Sequence, residues 1–159
     1  MIKENKVIKT LDCTLRDGGY YNNWDFDKKL VDNYIQAITK SKIDYIEIGF
    51  RNLSSSRFMG PYAYSRDRFL DKLNISKKIK IGIMIDTKEV INADIGIKKT
   101  IDTLLKKKSQ SRVSLVRFAT HFSNVKSLDK IVKYTKEKGY KVAVNLMQSG
   151  GKSEDQINK

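Results

Sequence analysis

The chain has 159 residues, of which 40% are hydrophobic and 31% charged, and this composition predicts one soluble globular domain with a sizeable core. No apolar run approaches the roughly 20 residues that a membrane-spanning helix needs, which excludes a membrane protein. The formal net charge of +14 is compatible with nucleic-acid binding, but the dispersed lysines and the lack of a helix-turn-helix, zinc-finger or RNP pattern disfavour it.

The first half of the chain alternates between strand and helix patterns. Residues 7–14 form the first predicted strand, and residues 25–40 carry apolar side chains at helical spacing. The apolar, β-branched segment 43–50 predicts a second strand. A serine-rich loop over residues 51–62, with the only proline of the sequence, leads to a helix predicted around residues 65–73. This part of the chain therefore contains two strand–helix units.

The second half continues the alternation. Residues 80–86 form the third predicted strand, and a helix is predicted within residues 95–107. The fourth strand covers residues 113–119, a helix over residues 125–139 follows it, and residues 141–147 form the fifth strand. The strands are apolar on both faces, which is typical of buried parallel strands joined by right-handed crossovers. Two architectures fit, an open doubly wound sheet or part of a (β/α)₈ barrel.

The last residues begin a further helix. Ser153 precedes Gln156 by three residues, which is the spacing of a capping box. A complete (β/α)₈ barrel needs roughly 250 residues, whereas only five strands are predicted here. We therefore expect residues 1–159 to be a single domain, either a five-stranded open sheet or the first part of a barrel.

Polar side chains collect at the predicted carboxyl ends of the strands, where both architectures bind ligands. A rim of this kind suits a divalent cation together with an oxygen-rich anion. In chain order, these residues are Arg16, Asp17, Glu47, Arg51, Asp86, Arg117, His121, Asn145 and Gln148.

The first strand ends in the most distinctive group of these residues. Asp17 is a hard oxygen ligand, which suits magnesium or manganese. Arg16 beside it is suited to clamp a carboxylate or to stabilise a developing enolate. Gly18 and Gly19 are predicted to let the backbone approach a ligand closely, because they carry no Cβ.

For two residues of the rim, a structural role is as well supported by the sequence as a functional role. Glu47 either belongs to the site or is a core residue paired with Arg51 or Arg117. His121, the only histidine, is either catalytic or hydrogen-bonded at a strand end. Both alternatives stay open for both residues.

The cellular compartment is predicted from the cysteine content and from the N-terminus. Cys13 is the only cysteine, which excludes an internal disulfide and fits a reducing compartment. Its position on a strand favours a small core residue over a nucleophile. The first ten residues lack the apolar region of a secretory signal. A cytoplasmic location is therefore predicted.

The segment TLRDGGYYNNWDF at 14–26 resembles the first-strand signature of the DRE-TIM metallolyases, and most closely that of aldolases of the 4-hydroxy-2-oxovalerate type. The likeness continues through DYIEIGFRN at 44–52, GPYAYS at 60–65, and the segments IGIMID, LVRFATHF and VNLMQ. The resemblance implies the N-terminal portion of a (β/α)₈ TIM barrel. It also implies a lyase that acts on a carbon–carbon bond of a 2-oxo acid with Mn²⁺ or Mg²⁺.

The resemblance also implies roles for individual residues. Arg16 corresponds to the arginine that stabilises the enolate, and Asp17 to the metal ligand of the first strand. Tyr20 or Tyr21 occupies the region where these aldolases have a histidine that is a candidate base. Together with the residues at the strand ends, this gives Arg16, Tyr20 and His121 as candidates for catalysis, Glu47, Arg51 and Asn145 as candidates for substrate binding, and Asp17 as the candidate metal ligand.

The remaining metal ligands of that family form an H-x-H pair on a later strand, which the 159 residues do not contain. The chain is therefore expected to be inactive on its own. One alternative is an interaction module, in which the exposed edges near Val142 and Val144 and along the first strand are completed by a partner chain or a second copy. The other alternative is a basic nucleic-acid-binding protein.

Overall fold

The computed structural model describes residues 8–157. These residues form a five-stranded sheet in the order β1-β2-β3-β4-β5, with every neighbouring pair of strands parallel. The strands are β1 (Leu11–Asp12), β2 (Tyr45–Phe50), β3 (Lys80–Asp86), β4 (Val113–His121) and β5 (Lys141–Met147). The α-helices are α1 (Thr14–Gly18), α2 (Lys28–Lys40), α3 (Asp67–Leu70), α4 (Thr87–Asn92), α5 (Ile97–Leu104), α6 (Leu128–Glu137) and α7 (Glu154–Ile157).

The order of the strands decides between the two predicted architectures. In a doubly wound sheet the order reverses at a switch point, whereas each strand here lies beside its neighbour in sequence. Right-handed crossovers between sequential parallel strands place the connecting helices on one face and curl the sheet. The structure is therefore a curled half-barrel that corresponds to the N-terminal portion of a (β/α)₈ barrel. The doubly wound alternative is wrong.

The first strand is shorter than predicted. The strand covers Leu11–Asp12, and the following residues 14–18 form the short helix α1; residue 7 of the predicted strand lies outside the described residues. The carboxylate of Asp12 accepts a hydrogen bond from the Thr14 backbone N–H at 2.9 Å. Such a bond favours a turn over continued sheet pairing. Arg16 and Asp17 therefore lie on a helical turn after the strand.

Caps set the starts of the helices. Helix α2 begins at Lys28, because the side chain of Asp27 accepts a hydrogen bond from the Leu30 backbone N–H at 3.0 Å.

Helix α4 was not predicted, since six residues are too few for a helical period to be recognised. The predicted capping box is confirmed: the Ser153 N–H donates to Gln156 Oε1 at 3.0 Å, and the Gln156 N–H donates to Ser153 Oγ at 3.3 Å.

The core packs strand residues against the helices. Fully buried aliphatic side chains each contribute about 1.5–3 kcal/mol, so this layer provides most of the favourable free energy of folding. Buried residues of the strands and helices include Ile46, Ile48, Ile83, Ile85, Val116, Phe118, Val31, Ile35, Val90, Ile101 and Ile131. The helices that residues 8–157 form are all too short or too polar to cross a lipid bilayer.

Candidate active site

A buried carboxylate lies at the centre of the candidate site. Glu47 on β2 is fully buried, with 0% of its surface exposed. Arg16 Nε donates to Glu47 Oε1 at 2.7 Å, and Arg117 Nη1 donates to both carboxylate oxygens at 3.0 Å. Two guanidinium groups thus neutralise one carboxylate, as a buried charge requires. The cluster carries a net charge of about +1 and faces the concave side of the sheet.

The register of the sheet brings this cluster together. Glu47 lies beside Gly82, and Gly82 lies beside Leu115 on β4. Arg117 points to the same face as Leu115, because side chains in a strand alternate with a period of two. Its side chain reaches across β3 to Glu47. The isolated charge in the apolar run VSLVRFA was the sequence signal for this residue, and Arg117 was predicted as a residue of the rim and as an alternative partner of Glu47, but not as a catalytic or substrate-binding residue.

Arg16 is held rigidly at the exit of β1. Its backbone carbonyl accepts a hydrogen bond from Trp24 Nε1 at 2.9 Å, and its guanidinium carbon lies 5.9 Å from the centroid of the Phe50 ring. Burial opposes the charge, but the hydrogen bond and charge of Glu47 outweigh burial and raise the pKa of Arg16. Arg16 is therefore a fixed, charged donor.

Asp17 is accessible to solvent, with 54% of its side chain exposed. Its Oδ1 accepts a hydrogen bond from Arg16 Nη1, and its Oδ2 accepts one from the Cys13 thiol at 3.1 Å. Burial and the bond to Asp17 raise the pKa of Cys13, which argues against a nucleophilic thiolate. Asp17 therefore offers carboxylate oxygens at the rim.

The residues described do not fit a complete metal site. Within residues 8–157, no group of three or more His, Cys, Asp or Glu side chains is placed to hold a metal ion. Asp17 is the single predicted ligand, whereas Mg²⁺ and Mn²⁺ require several oxygen ligands. Asp17 alone therefore does not form a metal site within the described residues.

An aromatic cluster covers the Arg16 side of the site. Tyr20 contacts Trp24 and Phe50 edge to face, with ring centroids 4.8 Å and 6.0 Å apart. Tyr20 is nevertheless 63% exposed, and Tyr21 is 95% exposed. Tyr20 thus lies at the entrance to the arginine cluster, whereas Tyr21 points into solvent.

Gly19 is required by packing rather than for access to a ligand. A Cβ atom on Gly19 would lie 2.0 Å from Cδ1 of Trp24, whereas one on Gly18 would meet nothing closer than 3.7 Å. The backbone of Trp24 has a positive φ of 57°, which is uncommon for a large side chain. The prediction that both glycines open the backbone to a ligand is corrected accordingly for Gly19.

We expect Gly19→Ala to displace the Trp24 indole and to lower the free energy of unfolding by about 1–3 kcal/mol, as overpacking does. The matched variant Gly18→Ala has room for its methyl group and should remain within about 0.5 kcal/mol of the parent. Trp24 is the only tryptophan, so its fluorescence reports the displacement directly. Equal stability and equal fluorescence of the two variants would contradict this account.

Arg51 does not join the cluster. It is fully buried, and its Nη2 donates to the Ser65 carbonyl at 2.5 Å and to Asp67 Oδ1 at 3.2 Å. These partners lie on the side of the sheet that faces α3, opposite to Glu47. The predicted pairing of Glu47 with Arg51 is wrong, and the structure does not bring Arg51 to the predicted substrate site.

His121 and Asn145 share the concave face with Arg117. The register pairs Ala119 with Asn145 and His121 with Met147. His121 lies four residues beyond Arg117, which is about 13 Å along the strand. Its Nδ1 lies 3.0 Å from Gln148 Oε1, the strand-end hydrogen bond that was one of its two predicted roles. Both residues are thus at the rim, with Asn145 nearer to the cluster.

The chain has relatives among solved structures. No protein-family model and no curated protein matches the chain. Among solved structures, the chain is similar to the N-terminal domain of a "putative aldolase" from Bacteroides vulgatus, with 36% identity over 96% of this chain and a TM-score of 0.82. The chain spans about half the length of that solved chain, since the match covers 49% of it. The five-stranded half-barrel therefore has the fold of the N-terminal portion of an aldolase-like barrel domain.

Proposed function

We propose that this chain supplies the enolate-binding part of a carbon–carbon lyase that acts on a 2-oxo acid. The observation that carries the proposal is the pair of arginines fixed by one buried glutamate on the concave face of the parallel sheet. Within residues 8–157, Arg16 Nη2 and the Nε and Nη2 atoms of Arg117 have no hydrogen-bond partner. These donors suit the oxyanion and the carboxylate of a pyruvate enolate.

The proposed reaction is a retro-aldol cleavage. A base removes the proton of the 4-hydroxyl group, the C3–C4 bond breaks, and its electron pair moves onto the 2-oxo oxygen. The products are an aldehyde and a pyruvate enolate, which then takes up a proton at C3. Arg16 stabilises the negative charge that develops on the enolate oxygen, and the fixed position of the guanidinium makes this stabilisation effective.

Proton transfer is assigned to Tyr20 in this proposal. Tyr20 contacts Phe50, over whose ring Arg16 lies. His121 lies further away, at the far end of β4. Asn145 is proposed to hydrogen-bond the substrate, because it lies on the face of Arg117. We propose Mn²⁺ or Mg²⁺ only for an assembly in which other residues add metal ligands to Asp17. Residues 1–159 alone are not proposed to turn over the substrate.

We expect oxalate, a stable analogue of the pyruvate enolate, to bind this chain with a 1:1 stoichiometry. Arg16→Gln should weaken binding at least about tenfold, because it removes a charge-assisted hydrogen bond. Arg68→Gln on α3 is the matched control, since Arg68 is exposed and its loss changes the net charge equally. Isothermal titration calorimetry measures both variants. Equal affinity of Arg16→Gln and the parent would contradict the proposal.

A second candidate function is an interaction module. Strand β5 is an edge strand of the sheet, and Val144 on it is 41% exposed. Another chain or a second copy that paired with β5 would cover this edge. Size-exclusion chromatography with light scattering discriminates between the two functions, because a monomer at high concentration disfavours self-association.

A further inference from the structure

A cleft of about 560 Å³ lies between the loop that follows β2 and the start of α4. Asn52 and the serines of the loop line one side, and Asp86 and Glu89 line the other. Because β2 and β3 both end here, the cleft opens on the carboxyl-terminal rim of the half-barrel, and the register places its residue Asp86 beside Ala119, two residues along β4 from Arg117. Its size suits a small ligand or part of one.

Glu89, which lines this cleft, has a carboxylate oxygen without a hydrogen-bond partner among the described residues. Its Oε1 accepts a hydrogen bond from the Leu53 backbone N–H at 2.8 Å. Its Oε2 is buried and has no hydrogen-bond partner among the residues that the structure describes. Burial raises the pKa of Glu89, while the bond from Leu53 opposes that rise. A buried acceptor without a donor is unfavourable, so a ligand that supplied an O–H or N–H group would be bound preferentially.

The charge of the cleft differs from that of the whole molecule. The chain has a net charge of +14, yet the described lining contains two carboxylates and one guanidinium, that of Arg57. Asn52 and the hydroxyl groups of Ser54, Ser55, Ser56 and Tyr64 complete the polar lining. A phosphate or carboxylate group would be repelled by Asp86 and Glu89. A neutral, hydroxylated carbon chain would find both hydrogen-bond acceptors and hydrogen-bond donors in this lining.

We propose that this cleft binds the aldehyde-derived fragment of the substrate and that this fragment carries hydroxyl groups, one of which donates to Glu89 Oε2. The inference rests on the proposed lyase function and names the substrate class: 2-oxo acids whose distal part is a neutral, hydroxylated chain. Asp86 accepts a second hydroxyl group, because its Oδ1 already caps α4 by accepting from the Lys88 N–H and its Oδ2 is free of partners within residues 8–157.

The test uses three probes with five carbon atoms each: ribitol, ribitol 5-phosphate and 1-pentanol. Binding is followed by amide chemical shifts of the full chain. Ribitol should shift the resonances of Leu53 and Glu89 in a saturable manner, while the phosphate and the simple alcohol bind more weakly. Glu89→Gln should weaken ribitol binding about fivefold or more through the lost acceptor. Glu137→Gln, on the exposed end of α6, is the control that should leave ribitol binding unchanged.

Three results would overturn the inference: no saturable shift in the cleft, equal binding of ribitol by Glu89→Gln, or tighter binding of the phosphate or of 1-pentanol. If Glu89→Gln does not fold, the relative affinities of the parent chain for ribitol, ribitol 5-phosphate and 1-pentanol still test the inference. Oxalate titration of the same sample separates this inference from the proposed function. Oxalate binding without ribitol binding rejects the cleft alone, and ribitol binding without oxalate binding rejects the lyase site.

Discussion

Replacing Glu47 with glutamine is expected to lower the free energy of unfolding by about 3–5 kcal/mol, the range for breaking a buried ion pair. Glutamine has the size of glutamate, so the variant removes charge without opening a cavity. Arg16 and Arg117 would then face each other with 11% and 20% of their side chains exposed, across a neutral amide. Water reaches both guanidinium groups in part, which places the expected loss toward the lower end of the range.

Urea unfolding of Glu47→Gln and of the surface control Glu137→Gln measures this effect. The control should stay within about 0.5 kcal/mol of the parent. A buried pair is screened little by salt, so the difference between the variants should persist at high ionic strength. Oxalate binding should fall as well, because Arg16 loses the partner that fixes it. A stability of Glu47→Gln equal to that of the control would show that the cluster is not the buried network described.

The strands with the clearest apolar pattern could be predicted from the sequence. Strands β3 and β5 have the predicted bounds, because each is a run of β-branched and apolar residues that stops at a polar residue, Asp86 in β3 and Gln148 just after β5. Strand β1 could not be predicted correctly, since the Asp12 carboxylate bonds the Thr14 N–H and turns the chain into α1. Periodicity also left the order of the strands open, because alternation of strand and helix is common to barrels and doubly wound sheets.

The candidate site was predicted in part, and Arg51 shows why the rest was not. Regular alternation from Glu47 would place Gly49 and Arg51 on the concave face. The register between β2 and β3 shifts between Glu47 and Phe50, which is the signature of a bulge. Beyond the shift, a Cβ on Gly49 would point at the Tyr62 carbonyl, and Phe50 contacts Arg16 instead. A bulge has no clear signal in a single sequence, so the side of Arg51 could not be predicted.

The same geometry predicts that Arg51 acts on stability rather than on binding. Arg51→Met should lower the free energy of unfolding by about 3–5 kcal/mol, because it leaves a buried carboxylate without its cation. Asp67 has 11% of its side chain exposed and keeps a hydrogen bond from Ser111 Oγ, at 2.5 Å. The Ser65 carbonyl would lose the two guanidinium donors that now lie within 3.1 Å.

A double-mutant cycle separates the charge from the packing. Arg51→Met combined with Asp67→Asn removes the unpaired carboxylate as well, so the double variant should be more stable than the sum of the two single losses predicts. Arg68→Met, on the exposed surface of α3, is the matched arginine control and should change stability little. Oxalate affinity of folded Arg51→Met should equal that of the parent, because Arg51 lies on the opposite side of the sheet from Glu47. A variant with normal stability and lost oxalate binding would instead place Arg51 in the site.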